Sequence, residues 1–562
     1  MPVNGGSNAL QDADARAVGG ADTAPLLEVS NLTVLFELDG ITKAAVDNVS
    51  FTVNPGETVA IVGQSGSGKS TAISAVLGLL PDNAHVGPGS SIVLDGTQLV
   101  GLKERELREM RGTVLALVPQ DPMSNLNPVM RIGTQVGEAV SVHVKMERAE
   151  IEERSVEALT RAGLPDAATR MKSYPHEFSG GMRQRSLIAM GLAKSPKLLI
   201  ADEPTSALDV TVQRTILDNL GMMVEESGTA VLLITHDLGL AAERADRVLV
   251  MNDGKLVEQG KALSLLTSPQ HPYTKSLIAA LPETRGLKTV EQNGSEVLLS
   301  AEHLVKEFRV RGVKDRQKST FTAVDDVSFE LKRGKTLAIV GESGSGKSTT
   351  ASMVLRLLEP TSGSVFMDGE DVTSLTGNSL RAFRRRVQPV FQDPYSSLDP
   401  MYTIERIIRE PLDAFNVGSQ AERARTVASV LDRVGLPQTY LNRHPRELSG
   451  GQRQRVAIAR ALSLQPDLIV CDEAVSALDV LVQAQILDLL QEIQDDFGVS
   501  YLFITHDLGV VRAFATDVLV MQKGRVVESG PVRDVFTSPR DSYTIDLLEA
   551  VPGRSLFEQL HS

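Results

Sequence analysis

Two glycine-rich segments of the chain, Gly63–Ser70 and Gly341–Ser348, share the pattern GxxxxGK[ST]. Glycines in this pattern let backbone N–H groups turn toward phosphate oxygens, the lysine reaches the β- and γ-phosphates of a nucleotide, and the last hydroxyl ligates Mg²⁺. We therefore expect Lys69 and Lys347 to contact nucleotide phosphates.

Each glycine loop stands between an apolar strand and a helical pattern, which is the context that this motif requires. Strands are predicted at Val59–Val62 and Leu337–Val340, and helices at Ala72–Leu80 and Ala351–Leu358. The start of each helix adds the positive end of its dipole to the phosphate site. The residues expected to bind ATP in the two loops are Gly63, Ser65, Gly66, Ser67, Gly68, Lys69, Ser70 and Thr71, and Gly341, Ser343, Gly344, Ser345, Gly346, Lys347, Ser348 and Thr349. Within this set, Ser70 and Ser348 are the expected ligands of Mg²⁺.

Each half also has an apolar strand that ends in two acids, in Lys197–Glu203 and Asp467–Glu473. A strand carboxylate beside a phosphate loop can hold Mg²⁺ through water, which suits Asp202 and Asp472. The next acid in each half, Glu203 or Glu473, is placed to orient or deprotonate an attacking water. For an acid pair taken alone, an exposed strand end is an equally good interpretation.

A Ser-Gly-Gly triplet precedes a helical pattern rich in arginine in each half. Unpaired N–H groups, a dipole end and a hydroxyl can make such a helix start an anion site. For one triplet taken alone, a simple helix cap is the better interpretation, and the other motifs are what make the pattern specific. The residues concerned are Ser179, Gly180 and Gly181 in the first half, and Ser449, Gly450, Gly451 and Gln452 in the second.

These motifs recur in the same order at offsets of 278, 272 and then 270 residues, so a whole domain is present twice. We place the two domains at residues 26–284 and 298–562, with the C-terminal extension inside the second. The polar stretch 285–297 between them is a linker. Residues 1–25, rich in Gly, Ala, Asp and Asn, are expected to form a disordered tail.

Composition narrows the function classes. The chain has 562 residues, a formal charge of −14 and one cysteine. An acidic balance argues against a nucleic-acid binder, and one cysteine excludes an intrachain disulfide and a multi-cysteine metal site. No run of about 18 apolar residues is present, so no membrane span is expected. The single cysteine, Cys471, is expected to be a buried core residue in a reducing cytoplasm.

The ordered set of motifs resembles the ATP-binding cassette (ABC) ATPase domain, twice over. It also includes the loops Ser206–Asp209 and Ser476–Asp479. The resemblance implies an α/β fold of tandem P-loop cassettes. Each cassette would have a RecA-like core, an antiparallel β subdomain and a helical subdomain that carries the Ser-Gly-Gly signature. Two such cassettes would bind ATP head to tail, so that Lys69 shares one ATP with Ser449–Gln452 and Lys347 shares another with Ser179–Met182.

The resemblance also assigns roles that the residues alone do not. His236 and His506 would contact the γ-phosphate and the attacking water as catalytic residues. Gln120 and Gln392 would touch Mg²⁺ and transmit changes to a membrane partner. Phe36 and Phe308 match the position that stacks on adenine, although a phenylalanine at a strand end is equally often a core residue. The residues whose roles rest on the resemblance alone are Phe36, Gln120, His236, Phe308, Gln392 and His506.

Subfamily features resemble the peptide/nickel branch of bacterial ABC importers. They include a Gln-Asp-Pro triplet and a Ser-Pro-x-x-x-Tyr-Thr segment in each half, at Ser268–Thr274 and Ser538–Thr544. That branch usually has two different ATPase subunits, so this chain resembles a natural fusion of the pair. Tyr273 and Tyr543 are expected to be packing residues rather than ligands.

The resemblance implies an ATPase coupled to solute import, peripheral at the cytoplasmic face of the bacterial plasma membrane. Its partners would be two separate transmembrane permease subunits and an extracytoplasmic solute-binding protein. Di- or oligopeptides are the first expectation for the cargo, with nickel chelates, glutathione or other small solutes as alternatives. A soluble ABC translation factor is a further alternative, but the short linker and the acidic charge do not favour it.

Overall fold

The computed structural model describes residues 24–38, 40–205, 208–286, 296–310, 319–393, 397–476 and 478–554. Several predictions fall outside these ranges. They are the tail up to residue 23, most of the linker and the segment after residue 554. Four residues of the quoted motifs also lie outside the described ranges, namely Ser206, Ala207, Pro394 and Ala477. No helix in the described ranges has the length and apolar character needed to cross a membrane.

The first half is an α/β unit with two sheets. Its strands are β1 Leu27–Leu38, β2 Ile41–Val53, β3 Thr58–Val62, β4 Ala84–Val86, β5 Ser91–Leu94, β6 Thr97–Gln98, β7 Leu115–Val118, β8 Leu198–Asp202, β9 Ala230–Ile234, β10 Arg247–Asn252 and β11 Lys255–Lys261. Its helices are Lys69–Leu77, Glu104–Met110, Ile132–Ser141, Arg148–Arg161, Ala167–Arg170, Gly180–Leu192, Val210–Ser227, Leu238–Arg244, Ala262–Thr267 and Pro272–Ala279, with 3₁₀ turns at Pro175–Glu177 and Pro282–Thr284.

The central sheet of the first half has the order β11-β10-β3-β9-β8-β7, and only β11 runs antiparallel. The strands β3, β8 and β9 are buried almost throughout, as their continuous Val, Leu, Ile and Ala content predicts for parallel strands covered on both faces. The carboxyl ends of β3, β9 and β8 therefore lie side by side. This edge is where open α/β sheets place their ligand sites.

Two smaller layers complete the first half. Strands β1, β2, β4, β5 and β6 form an antiparallel sheet, which shares an apolar core with β3 and the helix Lys69–Leu77. The helices between β7 and β8 bury a second apolar cluster, which also includes residues of β7, β8 and the helix Val210–Ser227. Ser179, the N-cap of Gly180–Leu192, therefore belongs to a helical layer, whereas Lys69 starts the helix that follows the central strand β3.

The second half repeats this plan. Its strands are β12 Val297–Val310, β13 Ser319–Lys332, β14 Thr336–Val340, β15 Ser362–Met367, β16 Glu370–Asp371, β17 Val387–Val390, β18 Leu468–Asp472, β19 Ser500–Ile504, β20 Asp517–Gln522 and β21 Arg525–Pro531. Its helices are Lys347–Val354, Gly377–Arg386, Ile404–Ala414, Gln420–Arg433, Gly450–Leu462, Val480–Phe497, Leu508–Phe514, Val532–Thr537 and Ser542–Glu549, with 3₁₀ turns at Gln438–Tyr440 and Pro445–Glu447. The central order is β17-β18-β19-β14-β20-β21, the same as in the first half.

The two halves are packed against each other. Val480 and Ala484 of the second half join a buried apolar cluster that includes Leu277 and Leu281 of the first. Arg285 of the first half forms an ion pair with Asp488 at 2.7 Å. The apolar contact removes surface from water on both sides and so favours association of the halves.

Candidate functional site

The lysine of each phosphate loop is buried and held by its own loop. Lys69 Nζ donates hydrogen bonds to the carbonyl oxygens of Gly63 and Gln64, at 2.7 and 2.8 Å. Burial lowers the pKa of Lys69, and the carboxylates Glu203 and Asp202 oppose that shift. The loop carbonyls therefore hold the ammonium group near the strand acids, where it can bind a phosphate.

The loop conformation requires glycine at its last turn. Gly68 has φ of 97°, and a Cβ atom there would lie 2.6 Å from the carbonyl oxygen of Ala45. A side chain would meet both the left-handed backbone penalty and a clash with fixed backbone. The second loop repeats the arrangement, because Lys347 Nζ donates to the carbonyls of Gly341 and Glu342 at 2.7 and 2.8 Å.

The second strand acid of each half stands at the centre of a three-residue cluster. Gln120 Nε2 donates to Glu203 Oε2 at 2.6 Å, and His236 Nδ1 lies 3.3 Å from Glu203 Oε1. The three residues lie just after the ends of β7, β8 and β9, which are neighbours in the sheet. The parallel sheet therefore brings together residues that are far apart in sequence.

The second half has the same cluster. Gln392 Nε2 donates to Glu473 Oε2 at 2.7 Å, and His506 Nδ1 lies 3.5 Å from Glu473 Oε1. The hydrogen bond with Glu473 raises the pKa of His506, and the same contact lowers the pKa of Glu473.

In the first half, burial would raise the pKa of Glu203, but the hydrogen bond with His236 and nearby positive charge leave that pKa lowered. The hydrogen bond with Glu203 raises the pKa of His236. Each glutamate is therefore held as a carboxylate beside a histidine that is more easily protonated than a free one.

The backbone of both glutamates is in the left-handed region. Glu203 has φ of 42° and Glu473 has φ of 48°. Their N–H groups donate to the carbonyls of Ile234 and Ile504, each at 2.9 Å. A left-handed glutamate is uncommon and costs conformational energy, so the neighbouring strand must hold it in place. This turn sends the carboxylate toward the phosphate loop instead of continuing the strand.

The first strand acid of each half has oxygen atoms suited to a magnesium ion. In the second half, Ser348 Oγ donates to Asp472 Oδ1 at 3.0 Å. In the first, Asp202 Oδ1 is buried without a hydrogen-bond partner. Burial raises the pKa of both carboxyl groups. Hydroxyl, carboxylate and amide oxygens are the donors that Mg²⁺ prefers, so these residues fit that ion.

The Ser-Gly-Gly triplets cap their helices. Ser179 Oγ accepts a hydrogen bond from the N–H of Met182, and Ser449 Oγ accepts one from Gln452. Gln452 Oε1 also accepts from the N–H of Ser449 at 3.0 Å, which completes a capping box. Met182 has no side-chain oxygen, so the first helix has the bond to Ser179 Oγ but lacks the reciprocal side-chain bond of a capping box.

A cavity of about 460 Å³ is lined by most of the predicted residues of the first half and by three residues of the second half. Its lining includes Ser65, Gly66, Gly68, Lys69, Ser70, Thr71, Gln120, Glu203 and His236, with Ser476, Leu478 and Asp479 from the second half. Neither the Ser-Gly-Gly triplet of the second half nor Gln452 after it lines this cavity in the described part of the chain. The loop after the second half's strand acids reaches the first phosphate loop, whereas the triplet does not line its cavity.

The two aromatic candidates differ in their surroundings. Phe36 is half-buried and lines a cavity of about 290 Å³ together with Gly66. Phe308 is 39% exposed, with Lys306 Nζ 5.5 Å from the ring centroid. Both rings therefore retain accessible surface, and Phe36 lies beside its phosphate loop.

Two tyrosines have a contact that the sequence analysis missed. Tyr273 and Tyr543 do pack into apolar clusters, as expected. In addition, their hydroxyl oxygens accept hydrogen bonds from the backbone N–H groups of Gln64 and Glu342, at 3.1 and 3.0 Å. The repeat of Ser-Pro-x-x-x-Tyr-Thr at the constant offset of 270 was the available signal. Cys471, in contrast, is fully buried as predicted.

Comparison with protein families gives two matches, each present twice. The model described as "ABC transporter" matches residues 46–206 and 324–476, more than half of the chain. The model described as "Oligopeptide/dipeptide transporter, C-terminal region" matches residues 257–308 and 527–555. The tyrosines just described lie inside the second pair of matches.

Curated relatives match almost the whole chain. Peptidoglycan transport ATP-binding protein YejF of Agrobacterium fabrum is 45% identical over 531 residues, which cover 94% of this chain and 97% of that protein. Glutathione import ATP-binding proteins GsiA of Pectobacterium atrosepticum and Escherichia coli are each 43% identical over 94% of this chain, and the matches cover 89% and 90% of those proteins. The predicted fold class is confirmed, and the chain belongs to the ABC transporter family as an ATP-binding protein with two fused cassettes of the oligopeptide/dipeptide transporter type.

Proposed function

We propose that this chain hydrolyses ATP in two composite sites and uses the energy to drive import of short peptides or peptide-like solutes. The observation that carries the proposal is the duplicated cluster of buried lysine, left-handed glutamate, glutamine and histidine. The same cluster at the same sheet edge in both halves fits a pair of sites that hydrolyse a nucleotide. The domain boundaries proposed for the two cassettes stay at 26–284 and 298–562.

The names of the relatives narrow the cargo. The relatives carry the names peptidoglycan transport and glutathione import, and both cargoes contain short peptides. The C-terminal match in each half is to oligopeptide and dipeptide transporters. We therefore place short peptides, including glutathione-like and peptidoglycan-derived peptides, ahead of nickel chelates. Because the same matches name transport and import, we rank a ribosomal role last.

Each residue of the site has a proposed task. Lys69 and Lys347 neutralise charge on the transferred phosphate, and Glu203 and Glu473 orient the attacking water and accept its proton. The histidine partner fixes each carboxylate and, when protonated, adds a positive charge near the γ-phosphate. The hydrogen bonds from the glutamate N–H groups to Ile234 and Ile504 hold the left-handed backbone and so keep each carboxylate beside its loop.

The proposed ligands of the magnesium ion are Ser70, Gln120 and Asp202 in the first site and Ser348, Gln392 and Asp472 in the second. A bound Mg²⁺ supplies positive charge that stabilises the phosphate oxygens. The buried and unpartnered oxygen of Asp202 supports this assignment. In both sites the glutamine donates to the glutamate through Nε2, which leaves its Oε1 as the atom that would ligate the ion.

We propose that ATP completes each site by drawing in the opposite Ser-Gly-Gly triplet. Asp479 of the second half already lines the cavity of Lys69. The N-terminus of Gly450–Leu462 would then present N–H groups and its dipole to the γ-phosphate of that ATP. Closure of both sites and their release after hydrolysis would supply the motion that is passed on to a partner.

Exposed apolar side chains follow both glutamines. Met123 and Val129 are 65% and 80% exposed in the first half, and Met401, the equivalent of Val129, is 78% exposed in the second. Exposed apolar groups in the same place on two related domains mark a partner surface. We assign these surfaces to two transmembrane permease subunits. A solute-binding protein outside the membrane would deliver the cargo, which places this chain at the cytoplasmic face.

Transport in reconstituted proteoliposomes tests this proposal. The chain is combined with the permeases encoded beside its gene and their binding protein, and uptake of labelled dipeptide, glutathione, peptidoglycan peptide and nickel–histidine is measured with and without ATP. We expect ATP-dependent uptake of at least one peptide, and loss of uptake in the Lys69→Ala/Lys347→Ala variant. Uptake of nickel–histidine alone would overturn the peptide assignment, and no uptake with intact ATP hydrolysis would overturn the importer assignment.

A further inference from the structure

One peptide unit in each phosphate loop is held from both sides. The carbonyl oxygen of Gly63 accepts a hydrogen bond from Lys69 Nζ at 2.7 Å. The N–H of Gln64 belongs to the same peptide plane and donates to Tyr273 Oη at 3.1 Å. A peptide plane is rigid, so its N–H and carbonyl directions are fixed together. The tyrosine hydroxyl therefore determines where the carbonyl that holds the lysine points.

The second half has the same arrangement with different neighbours. Gly341 O accepts from Lys347 Nζ at 2.7 Å, and the N–H of Glu342 donates to Tyr543 Oη at 3.0 Å. Gln64 and Glu342 differ in chemistry, but the contact uses only their backbone. Its recurrence in two halves of different sequence argues that the geometry of the loop, rather than a particular side chain, requires it.

Each tyrosine is fixed at the start of a helix. We call the helices Pro272–Ala279 and Ser542–Glu549 the tyrosine helices. The N–H of Tyr273 donates to Nδ1 of the capping residue His271 at 3.2 Å, and that of Tyr543 donates to Asp541 Oδ1 at 2.8 Å. Such capping bonds fix the first turn of a helix. The hydroxyl is thereby presented to the phosphate loop at a defined position.

Both hydroxyl groups stay protonated at neutral pH. Burial raises the pKa of Tyr543 to about 12, and burial raises the pKa of Tyr273 as well. A neutral hydroxyl can accept from a backbone N–H without adding negative charge to a site that must hold phosphates.

The tyrosine helices also contact the opposite half. Pro272–Ala279 contacts the helix Val480–Phe497 of the second half, and Ser542–Glu549 contacts Val210–Ser227 of the first. Arg214 Nη1 donates to the carbonyl oxygen of Glu549 at 2.6 Å. The contacted helices begin directly after Asp479 and Asp209. These two aspartates end the loops that reach the phosphate loop of the opposite cassette. One helix thus touches its own phosphate loop and the facing element of the other cassette.

We propose that Tyr273 and Tyr543 are positioning residues that set the phosphate-loop peptide for ATP and couple it to the contact between the cassettes. This inference rests on the proposed ATPase function of the site. It assigns a task inside the site to the C-terminal segment of each cassette. The tyrosine ring packs, and its hydroxyl holds the loop in the conformation that receives phosphate.

Deletion of the hydroxyl groups alone tests the assignment. The variant Tyr273→Phe/Tyr543→Phe keeps both rings, and KM for ATP and kcat are measured together with thermal unfolding. A loop that is less well pre-organised binds phosphate more weakly, so we expect KM to rise about three- to tenfold, in line with one hydrogen bond. The value of kcat should change less than twofold, because the reacting groups are retained.

The matched control is Tyr501→Phe. Tyr501 is fully buried in the second half, and its hydroxyl donates to the carbonyl oxygen of Leu490 at 3.0 Å, away from both phosphate loops. We expect this variant to lose stability without a change in KM. An unchanged KM in the double variant, or an equal rise in the Tyr501→Phe control, would overturn the positioning role. Absence of ATP hydrolysis by the unmodified chain would instead overturn the proposed function.

Discussion

The backbone N–H of Ser343 donates a hydrogen bond to Oδ1 of Asp209, so a loop of the first cassette holds the phosphate loop of the second. Beside it, Thr211 Oγ1 donates to the carboxylate of Glu342. The reciprocal contact is looser, because Gln64 Nε2 lies 3.5 Å from Asp479 Oδ1. The two sites share one architecture but differ in how firmly the opposite cassette holds them.

This difference predicts unequal effects of the two aspartates. Asp209→Ala should weaken nucleotide binding at the second site by about five- to tenfold, because a backbone N–H loses a charged acceptor. Asp479→Ala should weaken binding at the first site by less. Binding of a fluorescent ATP analogue measures each site separately when the other lysine is replaced, in Lys69→Ala and Lys347→Ala backgrounds.

In the Lys69→Ala background only the second site binds, so Asp209→Ala should reduce affinity there. The same substitution in the Lys347→Ala background serves as the control and should leave the first site nearly unchanged. Equal losses in both backgrounds would show that Asp209 acts on the whole chain rather than on the site it contacts.

The two signature helices predict opposite effects of a residue exchange. Gln452→Met removes the capping-box acceptor of the second helix and should lower its stability by about 0.5–1 kcal/mol. Met182→Gln offers the same acceptor to the N–H of Ser179 and should raise stability by a similar amount. Urea denaturation of the two variants against the unmodified chain checks both signs, and a shift of both variants in one direction would rule out capping as the cause.

The histidine–glutamate contacts predict a pH dependence. The hydrogen bond with the glutamate raises the pKa of His236 and His506 above the usual value of 6.5. The stability that protonation of these histidines contributes is therefore present below about pH 6.5, as long as the glutamates stay ionised, and is lost as pH rises through the raised pKa of the histidines. Histidine NMR titration of the nucleotide-free chain should show both values above 6.5. Glu203→Gln should lower the value of His236 and leave that of His506 in place.

One buried carboxyl group lies between the cassettes and has no counterpart in the second half. Burial, with Asp507 and Asp237 nearby, raises the pKa of Glu283 to about 8. These three carboxyl groups line one cavity, with Gln483 donating to Asp507 at 3.1 Å. The position 270 residues later is Gly553, which donates its N–H to Glu243.

The folded chain keeps the proton of Glu283 up to about pH 8, whereas the unfolded chain releases it near pH 4.5. The free energy of unfolding therefore decreases as pH rises from 4.5 to 8. Glu283→Gln removes this pH-dependent loss of stability, because the amide does not titrate. We expect the melting temperature of the variant to rise relative to the unmodified chain as pH increases from 5 to 9. The exposed Glu153→Gln is the control, and a pH-independent difference for Glu283→Gln would contradict the raised pKa.

The sequence predicted what depends on short patterns. The glycine loops, strand acids and their repeat predicted two phosphate sites, because strand, loop and helix follow directly from apolar periodicity and glycine spacing. The order of the central sheet then brought Glu203 and His236 together at its edge, as carboxyl ends of parallel strands require.

Contacts that depend on the packing of distant elements could not be predicted from the sequence. The hydroxyl of Tyr273 meets Gln64 across 209 residues, and Asp209 meets Ser343 across 134. Neither pairing has a local pattern, because the partner is a backbone N–H that every residue except proline has. The left-handed backbone of Glu203 was also unpredictable, since glutamate has no preference for it and the neighbouring strand imposes it.

The central claim is that Glu203 and Glu473 perform the hydrolytic step in two sites that ATP closes. The most direct test is ATP turnover by the Glu203→Gln/Glu473→Gln variant, with retained nucleotide measured after rapid desalting. We predict a loss of at least a hundredfold in rate, in line with removal of a general base, with ATP trapped on the protein. Turnover at the unmodified rate would contradict the claim.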